Sequence, residues 1–304
     1  MHKPNFLICG FAKSGTTSLY HYLSEHPEIY LPKRKELHYF TRKILSNKES
    51  GPGDKLMQKF HVRNKEKYYK FFEGAQHKAI GEVSPTYALY DEAVEEIEEQ
   101  LGKDIKIILI LRDPIKRAFS NYQHLKRENR ETLSFQNALE LEDERFLDKN
   151  YANFWRYSFS SDYLQHVDRI VNRFNNVKII ILENFQNNKE DEYREILDFL
   201  GVSNVIPKNL HTSFNEGGIY KRNILTKIVL ERNFINYILK SIIPLNQRTK
   251  KLVGNLLNMF TSKSNEKISK DTEDYLIKKL SENTKILAKK YNLDISSWHQ
   301  KFQK

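Results

Sequence analysis

Lys13, Ser14, Gly15, Thr16, Thr17 and Ser18 stand between an apolar run, Phe6–Cys9, and a segment with Leu19, Tyr22 and Leu23 at helical spacing. That reads as strand, loop and helix. A glycine that admits close backbone approach, amides opening a helix, hydroxyls and one cation together suit a phosphate-like anion. Gly10 and Gly15 also satisfy the glycine spacing of the Walker A loop, and Gly10 is expected to let the backbone turn. Thr16–Thr17, however, occupy the place of its Lys–Ser/Thr pair. A nucleotide kinase sets that lysine on the β/γ-phosphates and that hydroxyl on magnesium. Here the loop's one lysine is Lys13, which suggests a cation near the bond being broken.

A second group follows the continuous apolar run Ile107–Leu111, expected for a strand covered on both sides. Arg112–Asp113–Pro114 ends that run, and Pro114 suits the first turn of a helix. Arg112 could meet two phosphate oxygens with its planar fork. Ser120 and His124 are four apart and so share a helical face. Two carboxylates complete the set of reactive groups. Glu36 lies in KELHYF between Lys35 and His38, and Glu82 in GEVSPTY. A carboxylate among cations stays ionised.

These stretches resemble the PAPS-dependent sulfotransferases, most closely the branch that includes the heparan sulfate enzymes. AKSGTT fits their 5′-phosphosulfate loop, Pro/Ala-Lys-Ser/Thr-Gly-Thr-Thr/Ser, and LRDPIKRAFSNY fits their 3′-phosphate element. The resemblance implies that residues 13–18 hold the 5′ side of PAPS and that Arg112 and Ser120 bind its 3′-phosphate. It assigns proton removal to Glu36, with Glu82 as a second candidate carboxylate. Gln123–His124 is similar to the N-sulfotransferase branch, where the histidine reaches the reaction centre. Glu183–Asn184–Phe185 and the terminal LDISSW also match family phrases. The loop that closes over the nucleotide departs from the family's Lys-Gly-x-x-Gly; only Gly217–Gly218 and then Lys221–Arg222 stand there as candidates.

The elements that must carry these groups form a βαβ pattern. The expected fold is α/β, with a mostly parallel, P-loop-like sheet and helices on both faces. Phosphate-binding elements follow two strand ends, where open α/β sheets place ligands. The chain, 1–304, is read as one sulfotransferase domain, with residues 224–262 as a helical cap or insertion. Asp91–Gln100 is expected to be a helix with a solvated acidic face, Thr132–Asn150 an amphipathic helix with surface acids, and Val177–Leu182 a buried strand. Tyr151–Ser161 is read as an aromatic-rich loop, more suited to core packing than to ligand binding.

Composition bounds the rest. A net charge of +11 over 304 residues and a pI near 9.3 imply an anionic partner, whether a bisphosphorylated nucleotide with an acidic polysaccharide or nucleic acid. Cys9 is the sole cysteine, which fits a reducing, cytoplasmic setting. No run reaches transmembrane length, although 224–260 could touch a membrane surface. The expectation is sulfuryl transfer from PAPS, without a metal, to a hydroxyl or amine of an acceptor such as a glycan, leaving PAP. A P-loop nucleotide kinase and a non-enzymatic nucleic-acid binder are the alternatives.

Overall fold

The computed structural model describes residues 2–212, 219–220, 261–262 and 266–303. β1 (Phe6–Gly10) lies at the centre of a five-stranded sheet. β2 (Ile29–Tyr30), β3 (Ala79–Val83), β4 (Lys106–Leu111) and β5 (Asn176–Ile181) complete it in the order β2-β3-β1-β4-β5, every pairing parallel. The apolar runs of β1 and β4 are buried on both faces. Leu7, Cys9, Ile107, Leu109 and Leu111 join one hydrophobic cluster, and Phe6, Ile8, Ile108 and Ile110 the other. Period-two alternation sends successive side chains to opposite faces, so a sheet covered twice needs apolar residues throughout.

The second cluster packs against α1 (Thr16–Leu23). Between β2 and β3 the chain makes an excursion through α2 (Arg42–Leu45), α3 (Asp54–Gln58) and α4 (Lys65–Lys70). The first cluster receives α5 (Asp91–Leu101) and α6 (Pro114–Arg127). Two short helices follow, α7 (Phe135–Glu140) and α8 (Glu142–Leu147), and then α9 (Tyr163–Val171) on the same cluster. α10 (Leu182–Asn187) and α11 (Lys189–Leu200) return to the second cluster, and Gly201 closes α11 with φ 76°. A long helix, labelled α12 (Lys270–Lys290), packs on the first through Leu276, Leu280 and Leu287. The expected helix-covered parallel sheet is thus what the chain forms. Lys221, Arg222 and the expected cap at 224–262 lie outside the described residues, except Thr261–Ser262, which pairs antiparallel with Ile219–Tyr220.

Three expectations need correction. β5 is an edge strand, half-buried over 176–179, and among the described residues only β4 pairs with it. The helix expected over Thr132–Asn150 divides into α7 and α8; Glu140, Asp143, Glu144 and Asp148 are exposed as expected, but Glu142, and Glu131 just before the segment, are buried. Glu131 is buried under the Arg145 fork (2.6 and 3.2 Å), and Glu142 accepts the Ser158 amide at 2.7 Å. On α5, Glu96 is likewise buried, taking both nitrogens of Arg42. Helical spacing cannot reveal an arginine arriving from another element. The 151–161 segment behaves as read, with Trp155 and Tyr157 in the core.

Gly81 stands opposite Phe6 in the sheet, and a Cβ there would fall 2.3 Å from the Phe6 ring. Gly81→Ala should therefore cost about 1–3 kcal/mol through overpacking. A thermal midpoint equal to that of the native protein would contradict this account of the β1–β3 contact.

Candidate active site

β1 ends at Gly10 and α1 begins at Thr16, with Gly15 as the N-cap at φ 90°. Its left-handed conformation favours glycine, and a Cβ there would lie 2.6 Å from Leu182 Cδ1, so that side chain would have to shift. Gly10 has ordinary room, its nearest neighbours standing 3.5 Å from a Cβ, and it does not make the expected turn. The left-handed residue is instead Lys13, at φ 70°. Such a conformation costs a side-chain-bearing residue about 1–2 kcal/mol, and two arginines hold it in place. Arg112 Nη1 donates to the Lys13 carbonyl at 3.0 Å. Arg117, buried, donates to the Ala12 carbonyl at 3.2 Å and to Ser161 Oγ and the Tyr157 carbonyl at 2.6 Å each. The rest of the Arg112 fork has no hydrogen-bond partner among the described residues. Ser14 is fully buried beside the Tyr163 hydroxyl, while Thr17 and Ser18 are half-buried.

α6 starts from Asp113, whose Oδ1 accepts the amides of Ile115 and Lys116 at 3.0 Å each. Its Oδ2 accepts the His299 amide at 2.7 Å, and its own amide donates to Glu183 Oε1 at 3.1 Å. Trp298 Nε1 donates to the other Glu183 oxygen at 2.9 Å. The terminal LDISSW phrase thereby fastens the start of the helix that carries Ser120 and His124. Arg127, one turn further along the same face, donates from Nη2 to His124 Nδ1 at 3.0 Å. A guanidinium only donates, so Nδ1 accepts and the neutral ring carries its proton on Nε2. Burial and then the charge of Lys13 lower the His124 pKa to about 4, so the ring is neutral at pH 7. Lys13 itself is lowered to about 8, first by burial and then by the charges of Arg127 and Arg112. The structure brings the loop lysine and the His124 face into one electrostatic neighbourhood.

Glu36 and His38 are also left-handed, at φ 61° and 52°. Their turn is held by β3: the Glu36 amide donates to the Val83 carbonyl at 3.0 Å, the His38 amide to Ser84 Oγ at 3.1 Å and the Tyr39 amide to Tyr87 OH at 3.0 Å. Ser84 and Tyr87 in turn donate to Glu82 Oε1, the latter at 2.6 Å. Glu82 is 1% exposed, and burial raises its pKa. Glu36 is one-third exposed, with Lys35 Nζ at 3.0 Å and His38 Nε2 at 3.7 Å. Its partial burial opposes ionisation, but the neighbouring His38 ring and the Lys35 charge outweigh it and hold the carboxyl far below the usual range. Lys35 also donates to Thr17 Oγ1 at 2.5 Å, joining the Glu36 turn to the anion loop.

A family model described as "Sulfotransferase domain" matches residues 3–284 of this chain. The chain belongs to that family. The crystal structure of a sulfotransferase from Alicyclobacillus acidocaldarius superposes with a TM-score of 0.76 at 29% identity, over 98% of this chain and 99% of that one. The membrane-associated sulfotransferase kil1 of Dictyostelium discoideum is 34% identical over 43% of this chain and 26% of its own length. Carbohydrate sulfotransferase 15 of Mus musculus is 28% identical over 43% of this chain and 29% of its own. This sulfotransferase domain thus spans between a quarter and a third of the length of those two relatives. Its membership favours neither the kinase nor the nucleic-acid alternative. No helix among the described residues is long and apolar enough to cross a membrane.

Sequence reasoning missed three contacts in this candidate site: the loop-bracing Arg117, the Arg127 partner of His124, and the Lys35–Thr17 bridge. Arg127 was within reach of the helical-face argument, being three residues beyond His124. The other two join separate elements.

The charge of Lys13 sets a pH dependence. Its ammonium is present below pH 8 and lost above it. Affinity for PAP, the product that the family implies, should fall as pH rises through about 8, and Lys13→Met should flatten the curve. Calorimetry across that range checks both, and a flat profile in the native protein would remove Lys13 from the anion site.

Proposed function

We propose that this protein transfers a sulfuryl group from PAPS to a hydroxyl or amine of a carbohydrate acceptor, its whole chain acting as one domain in the cytoplasm. The observation that carries the reading is the convergence of Lys13, Arg112 and the Ser120–His124 face at the neighbouring carboxyl ends of β1 and β4, with ionised Glu36 alongside. The residues fit the donor: a glycine at φ 90° opens α1, and the guanidinium nitrogens of Arg112 other than Nη1 have no partner among the described residues. The buried single cysteine accords with a reducing compartment.

When bound, PAPS supplies the sulfuryl group and the phosphate that leaves. The amides opening α1, with the hydroxyls of Ser14, Thr16, Thr17 and Ser18, hold the 5′ side of the nucleotide. Arg112 and Ser120 bind its 3′-phosphate, and Lys221 and Arg222 close over it, a role that rests on the sequence. Lys13 offsets negative charge at the oxygen that the sulfuryl group leaves, an electrostatic contribution. Glu36 accepts the proton of the acceptor. It is ionised at every working pH, and its low basicity rises when the acceptor displaces water from it. His124 carries its proton on Nε2, which suits it to donate a hydrogen bond rather than to act as base. Glu82 has no route to the acceptor and serves as a positioning residue, through Ser84 and Tyr87, for the turn that bears Glu36. Nucleic acid has no part in this reading.

PAP should bind about 10–100-fold more tightly than 5′-AMP, the worth of charged hydrogen bonds to a 3′-phosphate. Equal affinities would remove the cofactor assignment. With a hydroxyl acceptor, Glu36→Gln should lower kcat by about 10²–10⁴-fold at unchanged PAP affinity, the usual worth of a general base. Glu82→Gln, which keeps an acceptor oxygen for Ser84 and Tyr87, should lose less. The opposite order of kcat values would make Glu82 the base.

A further inference from the structure

Arg127 follows Ser120 and His124 along one face of α6, at helical spacing. A helical side chain leans back over the turn that precedes it. The Arg127 guanidinium is therefore carried towards the start of α6, where Arg112 and the anion loop stand. Its hydrogen bond from Nη2 to His124 Nδ1, at 3.0 Å, fixes that course. The proton affinity of Lys13 registers the approach: burial lowers it most, then the charge of Arg127, ahead of that of Arg112. Glu128 and Glu36 act the other way.

His124 is held from its other side as well. Glu128 Oε1 faces Nε2 at 3.8 Å, the nitrogen that carries the proton of the neutral ring. Glu128 Oε2 takes Nη1 of Arg130 at 3.3 Å. Arg130 is buried and donates from Nε to the Pro52 carbonyl at 2.6 Å. Its Nη2 pairs with Asp54, a fully buried carboxylate that also accepts Trp155 Nε1 at 3.1 Å. The way α6 ends makes this possible. Asn129 is left-handed at φ 56°, and the amides of Asn129 and Arg130 donate to the Lys126 and Leu125 carbonyls at 3.0 and 2.9 Å. That is a Schellman closure, and it turns Arg130 back beside Glu128.

The contacts run from Asp54 through Arg130, Glu128 and His124 to Arg127, and the charges alternate along the series. At its end a guanidinium is kept in the neighbourhood of Lys13, where like charges repel. An anion that meets both cations offsets that repulsion.

We propose that Arg127 is a further donor-binding residue, which takes an oxygen at the sulfuryl end of PAPS beside Lys13, and that His124 and Glu128 are positioning residues that aim it. The inference rests on the sulfotransferase reading of the site. It sets a second cation where charge moves during transfer, apart from the 3′-phosphate assigned to Arg112 and Ser120.

Calorimetry with PAPS and with PAP, in the absence of an acceptor, tests it through the ratio of the two affinities, because only PAPS carries the sulfuryl group. Arg127→Met should lower the PAPS-to-PAP affinity ratio at least about tenfold, the worth of a charged hydrogen bond, at an unchanged thermal midpoint. Arg127→Lys keeps the charge without the planar fork and should lower it less. Glu128→Met should lower the same ratio about threefold, although it removes a negative charge, because the His124 ring is no longer held. Combining Arg127→Met with Glu128→Met should lower it no further than Arg127→Met alone. An unchanged ratio in Arg127→Met, an equal loss of PAPS and PAP affinity, or additive losses in the combined variant would each overturn the proposal. The native protein supplies the separate check on the sulfotransferase reading. If it takes neither nucleotide, that reading falls and this inference with it; if it takes both and Arg127→Met leaves the ratio unchanged, this inference alone falls.

Discussion

Positive charges gathered at the carboxyl ends of β1 and β4 are the constraint around which this molecule is built. Burial, and then repulsion by Arg127 and Arg112, make Lys13 give up its proton more readily than a free lysine. Such a cluster disperses unless its carriers are fixed. Arg112 and Arg117 are therefore fastened to loop carbonyls, and α6 is fastened through Asp113 to Glu183 and the carboxy-terminal segment. A bound polyanion relieves the repulsion, and the energy stored in keeping the cations together becomes affinity for it.

The same logic explains the left-handed residues. Lys13, Glu36 and His38 carry side chains yet adopt a conformation that favours glycine. Each persists because neighbouring structure leaves no alternative. Around Glu36 that structure is the buried Glu82, which fixes two hydroxyl groups whose oxygens then accept backbone amides of the turn. One carboxylate is kept buried so that another can be held partly exposed and ionised. Two glutamates that look alike in a motif therefore have opposite electrostatic fates, one raised in pKa and the other lowered.

Net positive charge is spread through this chain, yet much of it is spent on structure. Arg42, Arg130 and Arg145 pair with buried or half-buried carboxylates. The cations of the α3–α4 excursion are different in kind. They stand exposed around one opening, and that opening is joined by a tilted His61–His38 ring contact and a backbone hydrogen bond to the turn bearing Glu36.

Much of this was legible in the residues themselves. Apolar runs too continuous for a half-exposed strand required a sheet covered on both faces, and Gly15 before a run of hydroxyl residues required an anion loop at a helix start. Ser120 and His124 shared a face because helical spacing is a local rule. Tertiary structure alone decided which charges were solvated and which were buried, because desolvation and pairing depend on elements distant in sequence. Nothing near Glu96 announces Arg42, and nothing near Glu131 announces Arg145. It likewise settled that Gly10 continues a strand while Lys13 takes the strained turn, since two arginines about a hundred residues away hold that backbone. The sequence determined which groups could bind an anion; the fold determined their charge and reach, because proton affinity is set by surroundings that only folding brings together.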